Sequence, residues 1–279
     1  MKRLTFSLLA FMTCCQMNGV EIITFADAKV KSLCVASWDT DGDGELSTDE
    51  ASAVTSFGTV FRGTDIGSFA ELKYFTGVTT IDEDAFRDSG IGPDLIIPGT
   101  VKTVSHYAFY NCKALRRVVL EEGVETVGFQ AFSGPITYFS LPGSLKFIYS
   151  MAIDPYVNGS SSSGIFMPEG DLYVQVRGAV PPEIDRYAFY NLLAGGHLIM
   201  PTGCATVYKS AAGWWQFAEY IEVGDVNRDG KLNVADITRL IVYVTGREYT
   251  EIEARIADVN GDGAVDADDV TLLCSYILE

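Results

Sequence analysis

The feature that most constrains the fold of this chain is a segment that recurs in its middle. The stretches VTTIDEDAF, VKTVSHYAF and VETVGFQAF share the pattern V-x-T-[IV]-x-x-x-A-F, and they end at Phe86, Phe109 and Phe132, 23 residues apart. Two weaker copies place Ile153 and Phe189 in the same position. One such unit cannot bury its own apolar side, whereas stacked units bury a continuous core. The period therefore predicts a solenoid.

A second series of short apolar runs follows the same period. Each run is rich in aliphatic residues and closes at a proline or a glutamate, as short strands that end in turns do. The runs are LIIP, RVVLE, FSLP, IFMP and LIMP, which end at Pro98, Glu121, Pro142, Pro168 and Pro201. We expect one small strand per repeat, joined into a parallel sheet. The stretch NGSSSSG, residues 158–164, interrupts the period and is predicted to be an exposed insertion.

An aspartate-rich loop, DTDGDGELSTDE, precedes the repeats at residues 39–50. It has the pattern of an EF-hand loop, in which oxygens at positions 1, 3, 5, 7 and 12 bind calcium and glycine at position 6 allows the sharp turn. The predicted ligands are Asp39, Asp41, Asp43, the carbonyl of Glu45, and Glu50. No second hand lies beside this loop, which favours a structural role over a regulatory one. We expect a calcium-clamped helical cap on the first repeat.

Two further loops near the other end, residues 225–236 and 258–269, carry aspartate at position 12 instead of glutamate. Each is followed by one amphipathic helix, and no entering helix precedes the first of them. A segment this short has little core of its own, so cation binding should supply much of its folding free energy. The predicted ligands are Asp225, Asn227, Asp229, the carbonyl of Lys231, Asp236, Asp258, Asn260, Asp262, the carbonyl of Ala264, and Asp269.

Two family resemblances follow from these motifs. The segment IIPGTVKTVSHYAFYNCKALRRVVL, residues 96–120, resembles the leucine-rich repeat of BspA-like bacterial surface proteins. The stretch after Pro201 resembles the closing unit of that family, in which Trp214, Trp215 and Phe217 would cover the open end. The duplicated loop–helix segment D-x-N-x-D-G-x-[LV]-[ND]-x-x-D resembles a dockerin module of the cellulosome type.

The resemblances imply two binding surfaces. A dockerin folds on calcium and docks into a cohesin on a scaffold protein. The docking contacts implied here are Val234, Ala235 and Arg239, or Ala267, Asp268 and Leu272. The repeat face of the BspA-like family implies a protein or glycan ligand on a host or neighbouring cell. The exposed candidates for that contact are Lys102, His106, Arg116 and Arg117.

Charge and composition exclude several classes of function. Lys and Arg number 20 against 37 Asp and Glu, a net charge of −17, which argues against binding nucleic acid because its phosphates would be repelled. No nucleophile–base set, phosphate-binding glycine loop or zinc spacing is present, and the paired carboxylates all fall in calcium positions. The sequence therefore argues against an enzyme.

The first residues have the pattern of a secretory signal peptide. Lys2 and Arg3 precede an apolar run that is too short to cross a bilayer, which takes about 20 apolar residues. We expect cleavage near Gly19, and Cys14 or Cys15 offers the alternative of a lipid anchor. No other stretch could span a membrane. The other cysteines are expected to be buried free thiols: Cys34, Cys112, Cys204 and Cys274.

Together these features predict an α+β chain with four parts. They are a signal peptide (1–19), a helical cap with an EF-hand (20–66), a BspA-like leucine-rich-repeat solenoid of short parallel strands (67–222) and a small helical dockerin-like module (223–279). The leading hypothesis is a secreted or bacterial cell-surface recognition and adhesion protein with three calcium sites. The alternatives are a structural assembly subunit with calcium-stapled ends and a lipid-anchored surface protein.

Overall fold

The computed structural model describes residues 21–154, 172–189 and 196–278. The predicted signal peptide, the two candidate lipid-anchor cysteines and the insertion at residues 158–164 lie outside this part of the chain. The helices are α1 (Ala28–Trp38), α2 (Thr48–Ala53), α3 (Ala205–Ser210), α4 (Val234–Val244), α5 (Glu251–Ala257) and α6 (Ala267–Leu278), with 3-10 turns at Ala70–Tyr74 and Trp214–Gln216.

The strands are short and follow the repeats. They are β1 (Thr80–Ile81), β2 (Asp94–Ile97), β3 (Thr103–Val104), β4 (Arg117–Leu120), β5 (Thr126–Val127), β6 (Phe132–Ser133), β7 (Tyr138–Leu141), β8 (Phe147–Ile148), β9 (Ile153–Asp154), β10 (Tyr173–Val176), β11 (Glu183–Ile184), β12 (His197–Met200) and β13 (Glu219–Glu222).

The strands form a solenoid with parallel sheets, as the sequence predicts. In the described residues, five two-residue strands order as β1-β3-β5-β8-β11, the four-residue strands order as β13-β12-β10-β7-β4-β2, and β6 pairs with β9 in a third sheet. Thr80 pairs with Thr103 and Thr103 with Thr126, so the same position of the repeat stacks on itself. The expectation of one strand per repeat was incomplete, because the V-x-T-[IV] segment forms a second strand.

A ladder of phenylalanine rings fills the core. Phe61, Phe86, Phe109 and Phe132 stack in succession with ring centroids 4.9, 4.8 and 5.1 Å apart, and every one of these rings is fully buried. Interplanar angles of 4°, 11° and 2° follow from placing one A-F corner above the next. The ladder explains why three successive repeats carry phenylalanine at this position.

Both ends of the solenoid are covered by aromatic residues. At the C-terminal end, Trp214 is fully buried and donates its indole N–H to the carbonyl of Pro182 at 3.0 Å, while Phe217 is also buried. Trp215 was expected to join them, but it is 58% exposed because it faces away from the core. At the N-terminal end, Trp38 of α1 packs against the rings that begin the ladder.

The cysteines of the described residues are free thiols. Cys34, Cys112 and Cys204 are buried free thiols, and Cys274 is free and half-buried. Burial raises the pKa of the Cys112 thiol to about 12, so this sulfur stays protonated at neutral pH. Among the described residues, no helix is long and apolar enough to cross a bilayer.

Candidate calcium sites

The first loop brings three carboxylates together. One oxygen each of Asp39, Asp41 and Asp43 lies within 4.8 Å of the others. Two oxygens that share one calcium at 2.3–2.6 Å lie at most about 5 Å apart, so the spacing fits this ion. Gly44 has φ of +83° and donates its N–H to Asp39 at 3.0 Å, which turns the chain back over the ligands.

Position 12 of the first loop is held in place before any ion arrives. Glu50 accepts backbone N–H groups from Thr40 at 2.7 Å and Ser47 at 3.0 Å, and its own N–H bonds the Ser47 hydroxyl in a capping box at the start of α2. These backbone bonds, first that of Ser47 and then that of Thr40, lower the pKa of Glu50 to about 2. The carboxylate is therefore ionised and ready to bind a cation.

The first loop is also tied to the chain that precedes it. Ile23 donates its N–H to the carbonyl of Leu46 at 2.9 Å, and Thr48 donates to Glu21 at 2.8 Å around an antiparallel bridge. Leu46 occupies position 8 of the loop and is fully buried. The backbone of this loop thus pairs with residues 21–23 rather than with a second calcium loop, which favours a structural role.

The two C-terminal loops repeat the geometry of the first. Asp225 at position 1 accepts the N–H of Gly230 at 3.0 Å, and Asp258 accepts that of Gly263 at 3.0 Å. Both glycines have positive φ, +77° and +89°, a conformation that permits the turn at position 6. The carbonyls predicted as ligands at position 7 follow at once, so the loop bends around one centre.

The carboxylates at position 12 of these loops are fully buried. Asp236 accepts N–H groups from Asn227 at 3.1 Å and Asn233 at 2.9 Å, at the first turn of α4. Asp269 accepts bonds from the matching residues of its loop at 3.1 and 2.9 Å. Because buried carboxylates are costly without a partner, this placement suits a group that faces a bound cation.

The loops crowd like charges that a divalent cation would neutralise. Burial raises the pKa of Asp225 and the nearby carboxylates of Asp236 and Asp229 raise it further, although backbone hydrogen bonds oppose the rise. The pKa of Asp258 is raised in the same way, by burial and by the carboxylates of Asp269 and Asp262. Carboxylate and carbonyl oxygens are the ligands that calcium prefers, so the donor set fits calcium better than a soft metal.

The C-terminal helices share a small core. Leu240, Tyr243, Ala257 and Leu273 are buried together between α4, α5 and α6, with Val226 beside them. The helix α5 lies between the two loops and was not predicted from the sequence. Its signal was present, because Thr250 and Glu253 form a capping box of the T-x-x-E type at its start.

Comparison with known families bears on both halves of the chain. Residues 223–278 match the model of the dockerin type I domain. Residues 59–158 match the BspA type leucine rich repeat region in six copies. The chain contains BspA-type leucine-rich repeats and a type I dockerin domain. Dockerin type I domains bind calcium, and both kinds of domain are non-catalytic interaction domains typical of extracellular or surface proteins. No curated protein matches the chain.

The dockerin domain exposes part of each implied docking surface. Val234 is 60% exposed and Ala235 is exposed as well, at the start of α4. Arg239 instead lies against its own domain, with Nε 3.1 Å from the Tyr243 hydroxyl and Nη2 3.9 Å from Glu253. In the second unit, Ala267 and Asp268 are exposed and Leu272 is half-buried.

The four side chains expected on a repeat ligand face do not form one site. Lys102 and His106 flank β3 in the sheet of two-residue strands, whereas Arg116 and Arg117 lie at the start of β4 in the other sheet. Lys102 donates to the carbonyls of Gly99 and Gly123, at 3.2 and 3.1 Å. Arg117 contacts α5 of the dockerin domain. The four residues therefore belong to two different sheets, and their role in ligand binding stays a prediction.

Proposed function

We propose that this protein is a secreted, non-catalytic assembly and recognition subunit of a cell surface. Its dockerin domain attaches to a cohesin-type scaffold protein in calcium, and its repeats bind a protein or glycan partner. The observation that carries the proposal is the pair of loop–helix units whose position-12 carboxylates, Asp236 and Asp269, are fully buried at the start of α4 and α6. A bound cation would offset the cost of burying these carboxylates, which supports calcium-dependent docking.

We assign one calcium ion to each of the three loops. Asp39, Asp41, Asp43, Glu45 and Glu50 would hold the first, and the ten oxygen donors named above would hold the other two. The first ion would fix the entry of the chain into the solenoid, because its loop bonds residues 21–23 and begins α2. The other two would fold the docking domain.

The surface of α4 is the part of the dockerin domain best suited to a cohesin. Three apolar residues of α4 are exposed: Val234 (60%), Ile241 (45%) and Val242 (38%). Their i, i+7 and i+8 spacing places them on one face of the helix. Exposed apolar residues grouped on one face mark interaction sites more often than scattered ones do. We therefore favour α4 over α6 as the centre of the contact.

The test is capture of the partner by the purified full chain. The chain would be immobilised and exposed to a surface extract of its source organism, once in calcium and once in chelator, and bound proteins would be identified by mass spectrometry. We expect a protein with a cohesin domain in calcium alone. The variant Ile241→Ser should lose this partner, whereas Ile96→Ser, an equally exposed change on the solenoid, should keep it. Capture that ignores calcium or α4 would contradict the proposal.

A second candidate is a structural subunit whose repeats act only as a spacer. It is favoured by the contact of Arg117 with the dockerin domain, which removes part of the repeat surface from external ligands. Substitutions on the exposed repeat surface would then leave every partner bound. The lipid-anchored alternative concerns Cys14 or Cys15, and mass spectrometry of the mature N-terminus would decide it.

A further inference from the structure

The sheet of four-residue strands has an outward surface that changes character along the solenoid. Strand register places six residues in one outward row: Ile96, Val119, Ser140, Gln175, Ile199 and Ile221. At one end Ile96 is 49% exposed, while at the other Ile199 and Ile221 are 0% and 1% exposed. Successive side chains of a strand alternate between faces, and the neighbours Leu198 and Met200 belong to the solenoid core. Something outside the solenoid therefore buries Ile199 and Ile221.

The dockerin domain covers them with α5. Ile199 and Ile221 form a cluster with Ile256 of α5, which is 1% exposed, and Ile252 and Tyr173 pack against it. This cluster is separate from both the solenoid core and the dockerin core. An apolar contact of this kind excludes water from both partners and stabilises their association in proportion to the area covered.

Charged and aromatic groups surround the apolar contact. Arg255 of α5 lies over the ring of Tyr138 with its guanidinium carbon 4.2 Å from the centroid, close enough for a cation–π interaction. Glu251 is 2.7 Å from Arg255 and 3.2 Å from Arg117 of β4, so one carboxylate joins the helix to the sheet. We name the surface formed by Arg117, Tyr138, Tyr173, Ile199, Glu219 and Ile221 the seat.

The first C-terminal loop contacts the seat directly, and the second is joined to it through α5. Arg228 is position 4 of the first of them, has φ of +60° and forms an ion pair with Glu219 of β13. Gly224, one residue before position 1, donates its N–H to the carbonyl of Ile256 at 2.8 Å. In the second loop, position 1 is Asp258, which follows directly on the end of α5. The predicted cation ligands of both loops are therefore adjacent in sequence to residues that contact the sheet or α5.

Adjacent residues of α5 face two different cores. Ile256 lies in the seat cluster, and Ala257 lies in the dockerin core. A helix of seven residues is too short to be stable alone in water, so its order depends on what it packs against. Both C-terminal loops meet its C-terminal end, through Gly224 and Asp258, and the seat holds its side.

We propose that the seat is the docking surface for the chain's own dockerin domain, and that seating of α5 and calcium binding by the two C-terminal loops are one coupled equilibrium. This inference rests on the proposed binding of calcium by these loops. In calcium the dockerin domain covers the seat, and loss of calcium uncovers it. Because the coupling is reciprocal, the seat also raises the affinity of the loops for calcium.

The coupling has a consequence for the repeats. A ligand of the sheet surface has to compete with α5 whenever calcium is present, since both would cover Ile199 and Ile221. The end of the sheet near Ile96 stays open. The calcium-loaded protein thus presents only part of its repeat surface to other molecules.

The test is hydrogen exchange of the full chain, measured by mass spectrometry across a calcium titration. Peptides from α4 and α6 report the two C-terminal loops without interference from the first loop. The variant Ile199→Ala/Ile221→Ala removes the apolar part of the seat while leaving all calcium ligands intact. Ile96→Ala is the matched control, because this residue occupies the same outward row and is exposed.

The proposal expects two changes in the double variant and none in the control. The calcium concentration that half-protects α4 and α6 should rise about tenfold, a change of about 1.4 kcal/mol, and α5 should exchange faster even in saturating calcium. Equal midpoints and equal protection of α5 in wild type and double variant would overturn the coupling while leaving calcium-dependent docking intact. Protection of α4 and α6 that ignores calcium in the wild type would overturn the proposed calcium binding itself.

Discussion

Replacing Asp236 by asparagine tests the central assumption about the dockerin domain, namely that a buried carboxylate at position 12 serves a cation. The side chain keeps its size, but one carboxylate oxygen becomes an NH₂ group. In the native geometry each oxygen accepts a backbone N–H, from Asn227 at 3.1 Å and Asn233 at 2.9 Å. The amide of the new residue would therefore point a donor at a donor.

The size of the effect follows from these two bonds. A hydrogen bond to a charged acceptor is worth about 1.5–3 kcal/mol, and one of the two is lost while the other becomes neutral. We expect a loss of about 3 kcal/mol in calcium. A domain spanning residues 223–278 has only about 3–8 kcal/mol at 0.05–0.15 kcal/mol per residue. The substitution should bring the domain close to unfolding and weaken calcium binding about a hundredfold.

The assay is amide exchange of α4 in the full chain, which reports the local opening free energy with and without calcium. In chelator the substitution should lower the opening free energy of α4 by a smaller amount, because removing the charge of Asp236 also relieves its repulsion of Asp225. Asp268→Asn is the control, since it removes one charge from an exposed residue of the same domain. If the amides of α4 are equally protected from exchange in the Asp236→Asn and Asp268→Asn variants in calcium, the reasoning is wrong.

Three further predictions concern the solenoid and the thiols. Phe109→Ala should lower the free energy of unfolding by about 4 kcal/mol in urea titration, because it empties one rung of the ring ladder; a loss under about 1 kcal/mol would contradict the ladder's role. Gly99→Ala should lower the melting temperature, since a Cβ atom there would lie 1.9 Å from the carbonyl oxygen of Glu122; an unchanged melt would refute this packing. Cys112 should resist a thiol reagent at pH 8 in the folded chain, because burial raises its pKa to about 12, while Cys274 reacts first; rapid labelling of Cys112 would show that the core opens readily.

The repeat architecture was predictable because one pattern carries the same physical instruction in every copy. Within V-x-T-[IV]-x-x-x-A-F, the Val104, Ala108 and Phe109 positions are fully or almost fully buried wherever the repeat is described. Stacking such units leaves a single way to bury them all. The second strand of each repeat escaped prediction because two residues are too few to show the alternation that identifies a strand.

The geometry of the three aspartate-rich loops was predictable for a different reason. Their ligands lie within twelve consecutive residues, so the spacing of the aspartates alone fixes which oxygens can meet. One carboxylate oxygen each of Asp39, Asp41 and Asp43 lies within 4.8 Å of the others, and this arrangement depends only on neighbouring residues in the chain. The number of ions and the role of each loop stay predictions, because affinity depends on burial and charge as well as on spacing.

The seat could not be predicted because it depends on contacts far apart in the sequence. Ile199 and Ile221 occupy apolar strands, and hydrophobic runs do not tell which neighbour covers an outward side chain. The residue that covers them, Ile256, lies in a helix of seven residues, which is too short to show a periodic hydrophobic pattern. The one local clue was an apolar residue where a solvated strand face would carry a polar one.

On this proposal, the same calcium ions stabilise two surfaces of the dockerin domain. Val234 and Ile241 of α4 are exposed, whereas Ile256 of α5 is buried in the seat. A partner that binds α4 in the calcium-loaded form stabilises that form, and by reciprocity it also stabilises the contact of α5 with the sheet. Docking to a scaffold would therefore tighten the cover over Ile199 and Ile221. A ligand that covers this part of the sheet would therefore bind the free protein in low calcium better than the assembled one.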